Sequence, residues 1–167
     1  MSTTSWREEG GIIFFTVKSD GTSGDEVTKR LRTTTSAGLL IRNSKFKPTT
    51  GVTIDIVVMK GSLFSKEKRK TPHIFVEAKN RGYVSPSLEV VFLIRSMLAD
   101  DQIRKMGLSR ITTMHKPIKC RDVSPSFMTV QVNNFCKSNE RWIFSSLANE
   151  RCIWYEDDGF AFVKPTS

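Results

Sequence analysis

Acidic residues are in short supply in this chain: its 167 residues hold 17 Asp and Glu against 26 Lys and Arg, a formal charge of +9. Such an excess attracts polyanions without selecting one. Cysteine is scarce as well, and the three present, Cys120, Cys136 and Cys152, are too few and too scattered for a disulfide scaffold and leave one thiol unpaired. No CxxC pair occurs, and only His73 and His115 could complete a metal site with the cysteines, so no zinc site is expected. No apolar run approaches the about 18 residues of a membrane span. The opening MSTTSWREEGG lacks the charged start and apolar core of a signal peptide. The expectation is a chain with no membrane segment, cytoplasmic by default. GxGxxG, P-loop and GxSxG patterns are absent, which removes the commonest phosphate cradles and a nucleophile elbow. No cofactor is expected.

What is present is ordinary globular material: 38% hydrophobic and 26% charged residues, with no Pro/Gly/Ser-rich linker to divide them. One domain over 1–167 follows. Ile12 to Val17 reads as a strand stopped by Ser19-Asp20-Gly21, and Ser23 with Glu26 forms a capping box for a helix to about Arg32. Ala37 to Asn43 has helical character. Val52 to Met59 alternates as a half-buried strand does. Thr71-Pro72 and Ser85-Pro86 each read as a helix start, the second opening the most apolar helix of the chain, and Asp100 starts a short helix that Gly107 stops. From Leu108 the period becomes strand-like: Leu108 to His115, Phe127 to Val132, Arg141 to Ser145 and Gly159 to Val163. Strand, helices, then a run of strands is an α+β order.

Three places could carry chemistry. Lys66-Glu67-Lys68-Arg69-Lys70 is the densest basic run, and Lys66, Lys68, Arg69 and Lys70 are candidates for weak polyanion or nucleic-acid contact, with a solvated loop or helix start as the plainer reading. His115 and Cys120 lie close enough in sequence for a base and thiol pair, though a strand-end histidine and a loop cysteine explain them as well. Glu156, Asp157 and Asp158 form an acidic cluster whose simpler role is a turn into the last strand. A hydrolase on these groups is the weakest reading, and the chain is expected not to be an enzyme.

The stretch from Phe127 to the C-terminus mixes aromatics with amides and acids out of any helical or strand period. Trp142, Phe160 and Phe162 alternate as core residues do. Phe135, Phe144, Leu147, Trp154 and Tyr155 sit among polar neighbours, the composition of a binding surface in which rigid aromatics supply area and amides adapt.

Arg141-Trp142-Ile143, then Trp154, then Asp158-Gly159-Phe160-Ala161-Phe162-Val163 resemble the ending of C-type-lectin-fold variable proteins of diversity-generating retroelements. Phe46-Lys47-Pro48-Thr49-Thr50-Gly51-Val52, Leu93-Ile94-Arg95, Met106-Gly107-Leu108 and Met114-His115-Lys116-Pro117-Ile118 are similar to small uncharacterised prokaryotic proteins sharing that ending. The resemblance implies a C-type-lectin-like fold with N- and C-terminal strands paired and helices packed on a small, mostly antiparallel sheet. It implies that 127–163 holds a diversified surface, with Trp142, Trp154, Gly159 and Phe160 as framework. The displayed set would be Asn133, Asn134, Phe135, Ser138, Asn139, Phe144, Ser146, Leu147, Asn149, Cys152, Tyr155 and Asp157. The Glu-Pro-Asn or Gln-Pro-Asp loop of calcium-dependent sugar binding is missing, so the expected partner is another macromolecule, a protein by preference, and no metal is implied.

Overall fold

A computed structural model describes residues 4–132 and 140–166. The first hairpin joins β1 (Arg7–Glu9) to β2 (Ile12–Asp20) through Gly10 and Gly11, whose φ values of 58° and 78° suit the tight turn that glycine permits. The capping box forms: Glu26 N–H donates to Ser23 Oγ and Ser23 N–H to the Glu26 carboxylate, opening α1 (Gly24–Arg30). Thr34 caps α2 (Thr35–Ser44), directly after the two-residue strand β3 (Arg32–Thr33).

The next strand, β4 (Thr50–Lys60), and α3 (Thr71–Asn80) follow the expected positions. Thr71 is not the cap of α3 but its first residue, Lys70 taking the cap position, and its hydroxyl accepts the indole N–H of Trp154. Helix α4 (Glu89–Met97) starts later than Ser85-Pro86 predicts. Val84 exchanges both backbone hydrogen bonds with Val163 at 2.9 Å, which keeps the chain extended there. Helix α5 (Asp100–Lys105) ends ahead of Gly107, at φ 77°. Five strands complete the chain: β5 (Arg110–Thr113), β6 (Ile118–Cys120), β7 (Val123–Gln131), β8 (Trp142–Leu147) and β9 (Asp158–Val163).

All nine strands among the described residues join one mixed sheet in the order β1-β2-β4-β9-β5-β7-β8-β3, with β6 on β7. The α+β expectation is met. Pairs β5/β9 and β3/β8 are parallel and the others antiparallel. Two expectations are corrected. The sheet is not small, and the N- and C-terminal strands do not pair: β4 lies between them, with Ile13 opposite Val58 and Val58 opposite Ala161. The alternation in Val52 to Met59 suggests one buried face, yet Ile56, Val57, Val58 and Met59 are buried on both, as a central strand requires.

One face of the sheet, with Ile13, Phe15, Ile56, Val58, Ile111, Val130, Ile143 and Ala161, packs against α1, α2, α4 and α5. The other, with Val57, Met59, Met114, Phe127, Phe160 and Phe162, packs against Ile74 and Ala78 of α3 and against Trp154. Phe160 and Phe162 are thus core, as their alternation predicts.

Candidate ligand-binding face

Strands β8 and β9 are both parallel to β5, so residues 148–157 form a crossover strap on the α3 side of the sheet. Several interior contacts hold it. The Trp154 ring meets Phe160 edge-on at 5.5 Å, and its indole N–H donates to Thr71 Oγ1 at 3.1 Å. Its backbone N–H donates to the Arg69 carbonyl at 2.8 Å. Asp158, fully buried, accepts the Tyr155 N–H at 2.9 Å and takes the Arg110 guanidinium through Nε and Nη2 at 2.5 and 3.1 Å. Gly61 lies so near the Tyr155 carbonyl that any Cβ there would collide with it.

Before and after Trp154 side chains turn outward, from the end of β8 into the strap. Leu147, Ile153 and Tyr155 are 59%, 45% and 67% exposed, half of the six exposed large hydrophobics among the described residues, gathered in nine consecutive positions. Asn149, Cys152 and Asp157 are exposed with them. Asn149 Oδ1 accepts the Arg151 N–H at 2.9 Å, an Asx turn that shapes the loop. Beside it lies an open groove of about 450 Å³ between Ser124 and Pro125 on one side and 147–151 on the other.

The strap divides the anticipated site. Leu147 is opposite Ser126 on β7, whereas Asp158 is opposite Arg110, itself opposite Gln131. Five residues of β7 separate the two ends, about 17 Å at about 3.3 Å per residue. Leu147 and Asn149 belong to the groove end, Tyr155 and Asp157 to the Arg110 end, where the guanidinium sits 5.7 Å from the Tyr155 ring. Ser146 faces inward more than outward: its hydroxyl meets Thr129 Oγ1 at 3.1 Å, and Thr129 meets Thr112 at 3.1 Å. Phe144 is half-buried beside Trp142, ring centroids 6.1 Å apart. Trp154, Gly159 and Phe160 occupy interior positions and Trp142 a half-buried one. Asn133, Asn134, Phe135, Ser138 and Asn139 lie outside the described residues.

The other candidate groups are drawn into the structure. Arg69 is 8% exposed; its guanidinium reaches the Trp154 carbonyl at 3.4 Å and Glu156 at 3.6 Å. It is an internal brace, so of the basic run Lys66 and Lys68 stay exposed and Lys70 half-exposed. His115 is buried, with Nε2 accepting the Met128 N–H at 2.9 Å, which leaves the proton on Nδ1 to donate to the Lys116 carbonyl at 2.8 Å. Both nitrogens are committed, and burial lowers its pKa, so it does not serve Cys120 as a base. Asp158 neutralises Arg110, which removes it from the acidic cluster as a free group.

Ser124, Pro125, Arg110 and Arg151 belong to this face and escaped the sequence reading. No local signal marks Pro125, whose carbonyl accepts the N–H of Ala148, the residue after β8. Compared with known proteins, the chain matches no family model, no curated protein and no solved structure.

Proposed function

We propose that the protein is a non-enzymatic ligand-binding protein that recognises another macromolecule through the exposed residues of 144–157. The carrying observation is the strap itself, held by Trp154 and Asp158 while Leu147, Ile153 and Tyr155 stand exposed. Fixing a loop before binding reduces the ordering cost of association, and a large aromatic adds contact area with few rotamers to freeze. The two ends are separate contact points, Leu147 with Asn149 and Tyr155 over Arg110. Affinity capture from source-cell lysate with wild type and with the Leu147→Asp/Tyr155→Ala double variant tests this. Partners retained by the wild type are expected to be lost from the double variant; an unchanged partner set counts against the surface.

The C-type-lectin-like and diversified part of the reading stands on the residue resemblance. Interior positions for Trp154, Gly159 and Phe160 agree with their framework role, while a β4 inserted between the terminal strands speaks against that scaffold. A near-identical template copy of codons 127–163 beside a reverse transcriptase gene is the observation that decides it.

A further inference from the structure

Among the described residues, strand β8 has β7 along one side and, along the other, only β3 opposite Trp142 and Ile143. The direction of its backbone groups follows from the bonds to that segment: Arg32 N–H donates to the Arg141 carbonyl at 3.0 Å and Thr34 N–H to the Ile143 carbonyl at 3.2 Å. Alternation then points the N–H and C=O of Ser145 and Leu147 away from β7 too. Ala148 N–H donates to Pro125 on the β7 side, as that parity requires. After Thr34 the chain leaves the edge in α2, so the outward groups of Ser145 and Leu147 have no backbone partner among the described residues.

Folded proteins guard such edges with charge, proline or a bulge. The opposite border of the sheet does so: past the reach of β1, β2 carries Lys18 and an irregularity between Lys18 and Asp20. The β8 edge, Phe144-Ser145-Ser146-Leu147, has none of these, and its register with β7 is unbroken from Leu147 to Ile143. It lies beside the groove of Ser124, Pro125 and Leu147.

We propose that this edge receives an extended peptide segment of a protein partner, which adds to the sheet as a strand where β3 ends. The proposal rests on the macromolecule-binding reading above and names its mode. The pairing stretch of the segment is uncharged. On one face its side chains lie beside Phe144 and Ser146, and on the other beside Ser145 and Leu147. Charge selects among occupants. Glu140 and Arg141 at one end of the stretch and Glu150 and Arg151 at the other sum to zero, with Glu140 held by Arg32 at 3.3 Å and the Arg141 guanidinium on the Arg95 and Ser96 carbonyls, so the charge that acts on a partner is the +9 of the whole chain. A segment with acidic residues outside its neutral centre is favoured. A second copy is not, since two chains that each carry +9 repel one another.

A phage-displayed library of short linear peptides, selected on the full chain, supplies the probe. The expected binders are β-branched in the centre and acidic at the flanks. A synthesised binder is expected to slow hydrogen exchange at the Ser145 and Leu147 amides of the wild type. Ser145→Pro removes an outward N–H without touching the β7 bonds and is expected to weaken binding about tenfold or more. Tyr155→Ala is expected to leave it within about threefold. The hydrogen-exchange readout on wild type decides the matter if Ser145→Pro does not fold. No linear binder, protection elsewhere, or a wild-type dimer that Ser145→Pro dissociates overturns the edge proposal. Loss with Tyr155→Ala but not with Ser145→Pro overturns the edge and keeps the broader surface; indifference to both overturns both.

Discussion

The indole N–H of Trp154 donates to the hydroxyl of Thr71 over 3.1 Å, joining residues 83 positions apart. The bond occupies the Thr71 hydroxyl at the first residue of α3 and fixes the strap between two outward stretches. Trp154→Phe keeps an aromatic against Phe160 but removes the donor. It is expected to cost about 1 kcal/mol for the bond, and somewhat more through lost volume, whereas Trp154→Ala costs about 3–5 kcal/mol. Urea unfolding measures both, and exchange at the Tyr155 amide is expected to quicken in each.

Asp158 is fully buried and holds Arg110 by two nitrogens as well as the Tyr155 N–H. Asp158→Asn leaves a partly buried guanidinium without its counter-charge, for an expected loss of about 3 kcal/mol, near the low end for breaking a buried pair because Arg110 keeps some solvent. The double variant Arg110→Leu/Asp158→Leu is expected to lose less than the single one. A loss from the double variant equal to or above that of Asp158→Asn would show that the pair adds more than its own mutual compensation.

His115 is held neutral in the fold because burial lowers its pKa, while the unfolded chain titrates near the ordinary value of about 6.5. Below about pH 6.5 the unfolded state takes up a proton that the folded state resists. Stability from this residue is therefore present above about pH 6.5 and lost as pH falls toward the folded pKa, at no more than about 1.4 kcal/mol per pH unit. Unfolding free energies between pH 7.5 and 5, compared with His115→Gln, are expected to show a steeper fall in the wild type.

Arg69 supports the strap, whereas Lys66, Lys68 and Lys70 remain for any polyanion. Arg69→Ala is expected to lower the unfolding temperature and leave retention on a heparin column unchanged. Replacing the three lysines with alanine is expected to do the reverse, shortening retention and flattening its salt dependence.

Local signals in the sequence were read correctly where short-range physics acts alone. Ser23 and Glu26 satisfy each other's backbone within one turn, and Gly107 takes the positive φ that ends α5. Strands β1, β3 and β6 went unseen because two or three residues show no period, and they exist through their partners β2, β8 and β7. Ser85-Pro86 misled because Val84 bridges Val163. In the site, exposure of Leu147 and Tyr155 agrees with their irregular surroundings, yet the same surroundings hold Trp154, which is buried, and Arg69 in a basic run points inward.

Composition and periodicity by themselves determined an α+β chain with a basic excess, a capped first helix and an aromatic, amide-rich ending. These depend on neighbours a few positions apart. Tertiary structure alone decided that β4 separates the terminal strands, that Trp154 is an anchor while Tyr155 is displayed, and that β3 covers β8 only at Trp142 and Ile143 among the described residues. Each of those depends on which distant backbone supplies or withholds a hydrogen bond, and long-range pairing leaves no period in the sequence.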